Sequence, residues 1–201
     1  MLLRVKAVGP WRMNAYALVC PASRQSVLID PGDDPRALDA LLEGTRPVGI
    51  LLTHSHPDHV GALEVMRARL KVPVMAHPAF SGADIDRALA DGDRVTVGEH
   101  WLKVHHALGH TPDQVCFAVE QDDRVVVGNA IFEGRPGKTW SPEDFRTTLD
   151  TLRRVVLAWP DETRCYPGHG GPFRLGDIRS AVEAFVSRDH GRFCGDATWG
   201  M

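Results

Sequence analysis

An α/β fold in layers, two mixed β-sheets sandwiched between helices, is what this sequence predicts. Three observations carry it: short apolar runs crowd the N-terminal third, helical patterns then alternate with further runs, and a helical pattern closes the chain. The runs are too short for helices and are bounded by Gly, Pro and Asp, as strands are.

Taken in order, Leu2–Val8, Ala15–Cys20 and Ser26–Ile29 read as strands of an antiparallel meander. Asp34–Glu43 reads as a helix, with Leu38, Leu41 and Leu42 at helical spacing behind Pro35, a favoured first-turn residue. Val48–Thr53 is a continuous apolar run of strand length. Val60–Leu70 repeats Val60, Leu63, Met66 and Leu70 along one stripe, leaving Arg67 and Arg69 outside. A strand follows at Val74–His77, then a short helix at Ala83–Ala90, then strands at Arg94–Val97 and Trp101–His106. Val115–Val119 and Arg124–Val127 form a hairpin across the charged turn Gln121-Asp122-Asp123. Pro142–Trp159 is the longest helix, striped by Phe145, Leu149, Leu152, Val155 and Val156. Thr163–Tyr166 is a last strand and Asp177–Arg188 a last helix. No internal repeat or low-complexity linker breaks the pattern, so residues 1–201 are expected to form one domain.

Bulk chemistry narrows the partners. A hydrophobic content of 43% supports a substantial core, and a net charge of −3 gives no electrostatic case for binding nucleic acid. A small-molecule substrate is expected, and an anionic one needs local positive charge. Cys20, Cys116, Cys165 and Cys194 are isolated, never in a C-x-x-C pair, and read as reduced thiols. No apolar run is long enough to span a membrane. Arg4 and Lys6 interrupt the stretch a signal peptide would need, so a cytoplasmic location is expected.

The chemistry concentrates in His54-Ser55-His56-Pro57-Asp58-His59, directly after a strand run. In extended chain, residues two apart point the same way, so His54 and His56 can converge on one ion. Asp58 and His59, opening the next helix, can face a second. Imidazole and carboxylate are the donors zinc prefers. Two smaller islands supply further ligands: His110 in Leu108-Gly109-His110-Thr111-Pro112-Asp113, and His169 in Tyr166-Pro167-Gly168-His169-Gly170-Gly171. His77, His100, His105, His106 and His190 stand outside these motifs and read as ordinary histidines.

THSHPDHVGA, GHTPDQ, VGNAIF and PGHG occur in the order and approximate spacing of the metallo-β-lactamase superfamily, which the chain resembles from about Asn14 to His169. The resemblance implies a four-layer αββα sandwich with metals at one edge. It implies His54, His56 and His110 on the first metal, and Asp58, His59 and His169 on the second. The look is nearest to the glyoxalase II-like branch, the hydroxyacylglutathione hydrolases. Gly134-Arg135-Pro136-Gly137-Lys138-Thr139-Trp140 is similar to that branch's substrate loop, which implies substrate contacts for Lys138 and Trp140. The implied reaction is hydrolysis of a small ester or thioester by a metal-bound hydroxide, with Asp58 orienting the nucleophile as well as ligating. The implied cofactor is Zn2+, and iron or manganese suits the same donors.

Two departures qualify the match. The glyoxalase II enzymes continue past the PGHG motif into a helical domain that grips glutathione, whereas here one helical pattern and the segment Arg188–Met201 follow. The family's bridging aspartate is Asn129, so one tight ion and a weaker second are expected. Two rival readings stand beside the hydrolase. One is a metal-binding or sensing module whose activity is attenuated at Asn129. The other is an iron-dependent persulfide dioxygenase using His54, His110 and position 129, whose facial triad would lack its carboxylate.

Overall fold

A computed structural model describes residues 1–201. The first half runs β1 (Leu2–Val8), β2 (Met13–Val19), β3 (Gln25–Ile29), α1 (Pro35–Leu41), β4 (Arg46–Leu51), α2 (Pro57–Val60), α3 (Leu63–Leu70), β5 (Val74–Ala76) and β6 (Arg87–Ala88). The second runs β7 (Arg94–Val97), β8 (His100–His106), β9 (Val115–Val119), β10 (Arg124–Gly128), β11 (Ile131–Phe132), β12 (Arg135–Pro136), α4 (Pro142–Arg154), β13 (Arg164–Pro167), β14 (Phe173–Arg174) and α5 (Leu175–Ser187). Strands β1 to β6 make one six-stranded sheet in sequence order, antiparallel as far as β3 and parallel from there. The second sheet is ordered β14-β13-β10-β9-β8-β7, with β10 and β13 parallel.

Side-chain alternation explains the layers. Along β2, Tyr16 and Leu18 point between the sheets, where they meet Ile29, Leu51, Phe117 and Val126. Ala15, Ala17 and Val19 point outward, under Leu38 and Leu41 of α1 and Leu63 and Met66 of α3. The second sheet does the same: Cys116, Val125, Val127 and Cys165 face Phe145, Leu149 and Leu152 of α4 and Val182 and Phe185 of α5. Strands buried on both faces read as unbroken apolar runs, and all seven residues of β2 are buried. The result is helix, sheet, sheet, helix, the four-layer sandwich expected.

The helix starts obey local chemistry. Asp34 caps α1 by accepting from Ala37 N at 3.2 Å, and Ser141 caps α4 by accepting from Asp144 N at 3.1 Å, each ahead of a proline.

Several expectations are corrected. Ala83–Ala90 is not a helix; Arg87–Ala88 pair with β5 as a parallel edge strand. Asp86 holds the segment extended, its carboxylate accepting from Val74 N at 2.8 Å and pairing with Arg67. The helix expected from Val60 begins earlier, at Pro57, and breaks at Gly61 before α3. A side chain at Gly61 would place Cβ 2.5 Å from the Gly32 carbonyl, so backbone meets backbone there. Helix α4 ends at Arg154, and Val156–Ala158 form a 3₁₀ turn. Helix α5 starts at Leu175, and the two-residue strands β6, β11, β12 and β14 carry too short a pattern to be read in advance. No helix is long and apolar enough to cross a membrane.

Candidate metal centre

Both sheets deliver residues to one edge. The chain leaving β4 carries His54 and His56, and α2 then places Asp58 and His59 in its single turn. From the second sheet come His110 after β8, Asn129 after β10 and His169 after β13. Because β10 and β13 are parallel, their carboxyl ends lie side by side, and Gly168 N donates to Gly128 O at 2.8 Å. The first sheet grips that corner: Asn14 Nδ2 donates to Pro167 O at 3.0 Å and to Gly170 O at 2.8 Å, and Tyr16 donates its hydroxyl to Pro167 O at 2.6 Å. A side chain at Gly168 would come within 2.4 Å of Asn129 Oδ1 and 2.5 Å of His59 Cε1, so only glycine leaves room for the cluster.

Two donor sets result. His56 Nδ1 lies 3.2 Å from His54 Nε2 and 3.0 Å from His110 Nε2. Asp58 Oδ2 lies 3.1 Å from His169 Nε2 and 3.9 Å from His59 Nε2. In each set the donor atoms fall within 4.8 Å of one another. Two ligands of a tetrahedral ion with bonds of roughly 2.0–2.1 Å stand about 3.3 Å apart, the scale seen here. His54 and His59 join the sets, with ring centroids 4.1 Å apart.

The reverse sides of the rings are tied down. His59 Nδ1 donates to Asp30 Oδ2 at 2.8 Å, His110 Nδ1 to Lys138 O at 2.8 Å, and His169 Nδ1 to Trp11 O at 3.2 Å. Thr53 gives its hydroxyl proton to Asp30 Oδ2 at 2.6 Å and so accepts from His54 Nδ1 at 2.9 Å. At His54, His59 and His110 the bond fixes a tautomer and turns an Nε2 lone pair inward, as in metal-ligating histidines, while at His169 it fixes the ring with Nε2 facing Asp58. Asp30, 1% exposed, anchors this support, with Thr53 N also donating to its Oδ1 at 2.7 Å. The sequence reading missed Asp30; its signal was a carboxylate closing the apolar run Ser26–Ile29, just before Pro31-Gly32.

Electrostatics set the protonation states that metal binding requires. Burial, and then the neighbouring imidazoles, hold His54 well below the ordinary histidine value. Burial brings His110 down to about 4, against a smaller upward pull from its bond to Lys138 O, and burial also lowers His56. At Asp58, burial pushes upward but is outweighed by the hydrogen bond from His169 and the charges of His59 and His169. Neutral imidazoles at His54, His56 and His110, beside an ionised Asp58, are states that accept a cation. His59 Nε2 and Asn129 Oδ1 are buried without any hydrogen-bond partner, a cost that a cation between them would relieve. The residues therefore fit a metal. Asn129 Nδ2 lies 3.5 Å from His54 Nε2 and 3.4 Å from His110 Nε2, so its amide hydrogens face lone pairs, which no carboxylate could do.

Trp140 sits at the rim, 62% exposed, its ring 6.4 Å from that of His56. Lys138 lies near it, the ammonium 4.8 Å over the Trp140 ring. The other histidines stay outside: His77 stacks on His106, and His190 packs against Phe145 and Phe185. Cys20, Cys116 and Cys165 are buried and unpaired, and Cys194 is exposed.

A histidine- and aspartate-rich cluster at one edge of an αββα sandwich defines a metal-binding protein of a known kind. Residues 8–169 match the family described as the metallo-beta-lactamase superfamily, and the chain belongs to it. It is 30% identical over 193 residues to the probable metallo-hydrolase YqgX of Bacillus subtilis, covering 85% of this chain and 90% of that protein. It is 33% identical over 169 residues to a hydroxyacylglutathione hydrolase of Nitrosococcus oceani, covering 79% of this chain but 64% of that one's length. Among solved structures it superposes on ETHE1 from Myxococcus xanthus with a TM-score of 0.83 at 27% identity, covering 94% and 86% of the two chains. TTHA1623 in a di-iron-bound form gives a TM-score of 0.76 at 32% identity, covering 88% and 96%.

Proposed function

We propose that this chain is a metal-dependent hydrolase of small esters or thioesters, resembling glyoxalase II in its chemistry. His54, His56 and His110 hold the first ion, and Asp58, His59 and His169 the second. Asn129 lies between them as a neutral neighbour, and zinc is the ion that these donors suit best. The observation that carries the reading is the set of inward-facing Nε2 atoms, each fixed by a bond on the far side of its ring. A bound dication supplies Lewis acidity and lowers the pKa of water toward neutrality. Asp58, held ionised by His169, orients the attacking water with a free carboxylate oxygen. Trp140 offers an exposed indole face beside His56 on which an acyl chain can lie. The similarity to the hydroxyacylglutathione hydrolase supports the thioester class, and that to the probable metallo-hydrolase supports hydrolysis.

The test is metal analysis beside turnover of a panel of thioesters, esters and lactones with zinc, iron and manganese. Metal-dependent release of thiol or acid supports the proposal. Bound metal with no turnover of any ester would favour a sensing module instead. The di-iron-bound neighbour makes iron the ion to compare with zinc.

A further inference from the structure

The segment after α5 folds back over the Lys138 loop. Thr139 N donates to Gly195 O at 3.1 Å, and Gly195 N donates to Thr139 Oγ1 at 3.2 Å. Four residues on, Trp199 donates through Nε1 to Glu133 O at 2.7 Å and through its backbone N to Gly134 O at 3.3 Å. Ala197 and Trp199 are buried in the core beneath α4 and α5. Asp196 lies between these anchors, so its backbone is held on both sides although its side chain is 63% exposed.

That carboxylate faces the two cations of the loop. Asp196 Oδ2 is 3.4 Å from Lys138 Nζ, and Oδ1 is 3.9 Å from Arg135 Nη1. The same loop reaches the metal centre, since Lys138 O accepts from His110 Nδ1 and Trp140 lies beside His56. A substrate carboxylate arriving at Lys138 would have to displace Asp196 and would meet its negative charge at close range. An uncharged group would meet neither obstacle.

Resting on the hydrolase reading, we infer that Asp196 is a specificity-determining residue, which turns the site toward substrates that bring no negative charge to the Lys138 loop. It acts through Lys138 and Arg135, by occupying the cations that would otherwise recruit an anion. An exposed pair is worth little on its own, so the effect is a shift in preference and not an absolute gate.

The experiment uses the metal-loaded protein and two probes that differ in one charge, S-acetyl-3-mercaptopropionate and its amide. Asp196→Asn should raise the ratio of kcat/KM for the anion over the amide about fivefold, through KM, because a like charge has been removed near the binding point. The gain should vanish at about 0.5 M salt and in the Asp196→Asn, Lys138→Met double variant. An unchanged ratio, or a gain that survives loss of Lys138, overturns the assignment. Binding of the non-hydrolysable ketones 5-oxohexanoate and 5-oxohexanamide, followed by NMR, separates the two readings. If the binding ratio shifts while no thioester turns over, Asp196 keeps its role and the hydrolase reading fails. If thioesters turn over with both ratios unmoved, Asp196 loses it.

Discussion

His59 Nδ1 and Asp30 Oδ2 stand 2.8 Å apart, with both side chains sealed from solvent. The contact joins the loop after β3 to the helix turn after β4, and it aims the opposite ring nitrogen of His59 at the cluster. Asp30→Ala is expected to weaken metal binding by about 10–100-fold although Asp30 donates nothing to the site itself. Competition with a chelator of known affinity measures this. An affinity equal to that of the unaltered chain would remove Asp30 from the support of the site.

His56→Ala and His169→Ala are expected to differ. The first leaves two imidazoles of a three-imidazole set and should release the tightly held ion. The second should leave roughly one ion per chain, because His54, His56 and His110 are untouched. Elemental analysis after dialysis reads both, and full metal retention by His56→Ala would contradict the ligand sets.

Asn129→Asp places a negative charge between two positions that each favour a cation. Second-ion occupancy and kcat/KM for a generic thioester are both expected to rise, since a carboxylate offsets the repulsion between dications and an amide does not. Stoichiometry and kinetics of the two forms side by side decide it. An asparagine form that already holds two ions and turns over faster would show that this position is not the weak point.

The metal-free chain is expected to lose stability on mild acidification. Burial keeps His110 near 4, whereas the unfolded chain protonates it near the ordinary 6.5. Between those values the unfolded form binds more protons, so stability falls as pH drops through about 6.5 toward 4 and is flat above. From pH 7 to pH 5 the loss from this group is at most ~2 kcal/mol, and His54 acts in the same direction. Urea midpoints of chelated protein at the two pH values would expose it. Equal midpoints would mean that these imidazoles are not desolvated in the folded chain.

The histidines were legible because their signal is local. His54, His56, Asp58 and His59 fall within six positions after an apolar run, and the extended chain leaving β4 and the turn of α2 bring them together. The layered fold was legible for a similar reason, since strands covered on both faces leave unbroken apolar runs. Asp30 was not, because its role arises from bonds to Thr53 and His59, more than twenty positions away. Ala83–Ala90 misled because its alanines suit a helix, while Asp86 bonds across to Val74 and keeps the backbone extended. At the break after Gly61, Ala62 N donates to Pro31 O at 2.9 Å, a bond that no local pattern records. Asp196 is hidden likewise, brought to Lys138 by the burial of Trp199.

The proposed ligands come from both sheets, His54, His56, Asp58 and His59 from one and His110 and His169 from the other. An ion held by both groups is therefore a rivet through the seam of the sandwich. It binds only when the two halves are docked, so each tenfold excess of free metal over its dissociation constant adds about 1.4 kcal/mol to that docking. Metal supply would then set how firmly the two halves of the molecule stay joined, quite apart from any bond that the centre breaks.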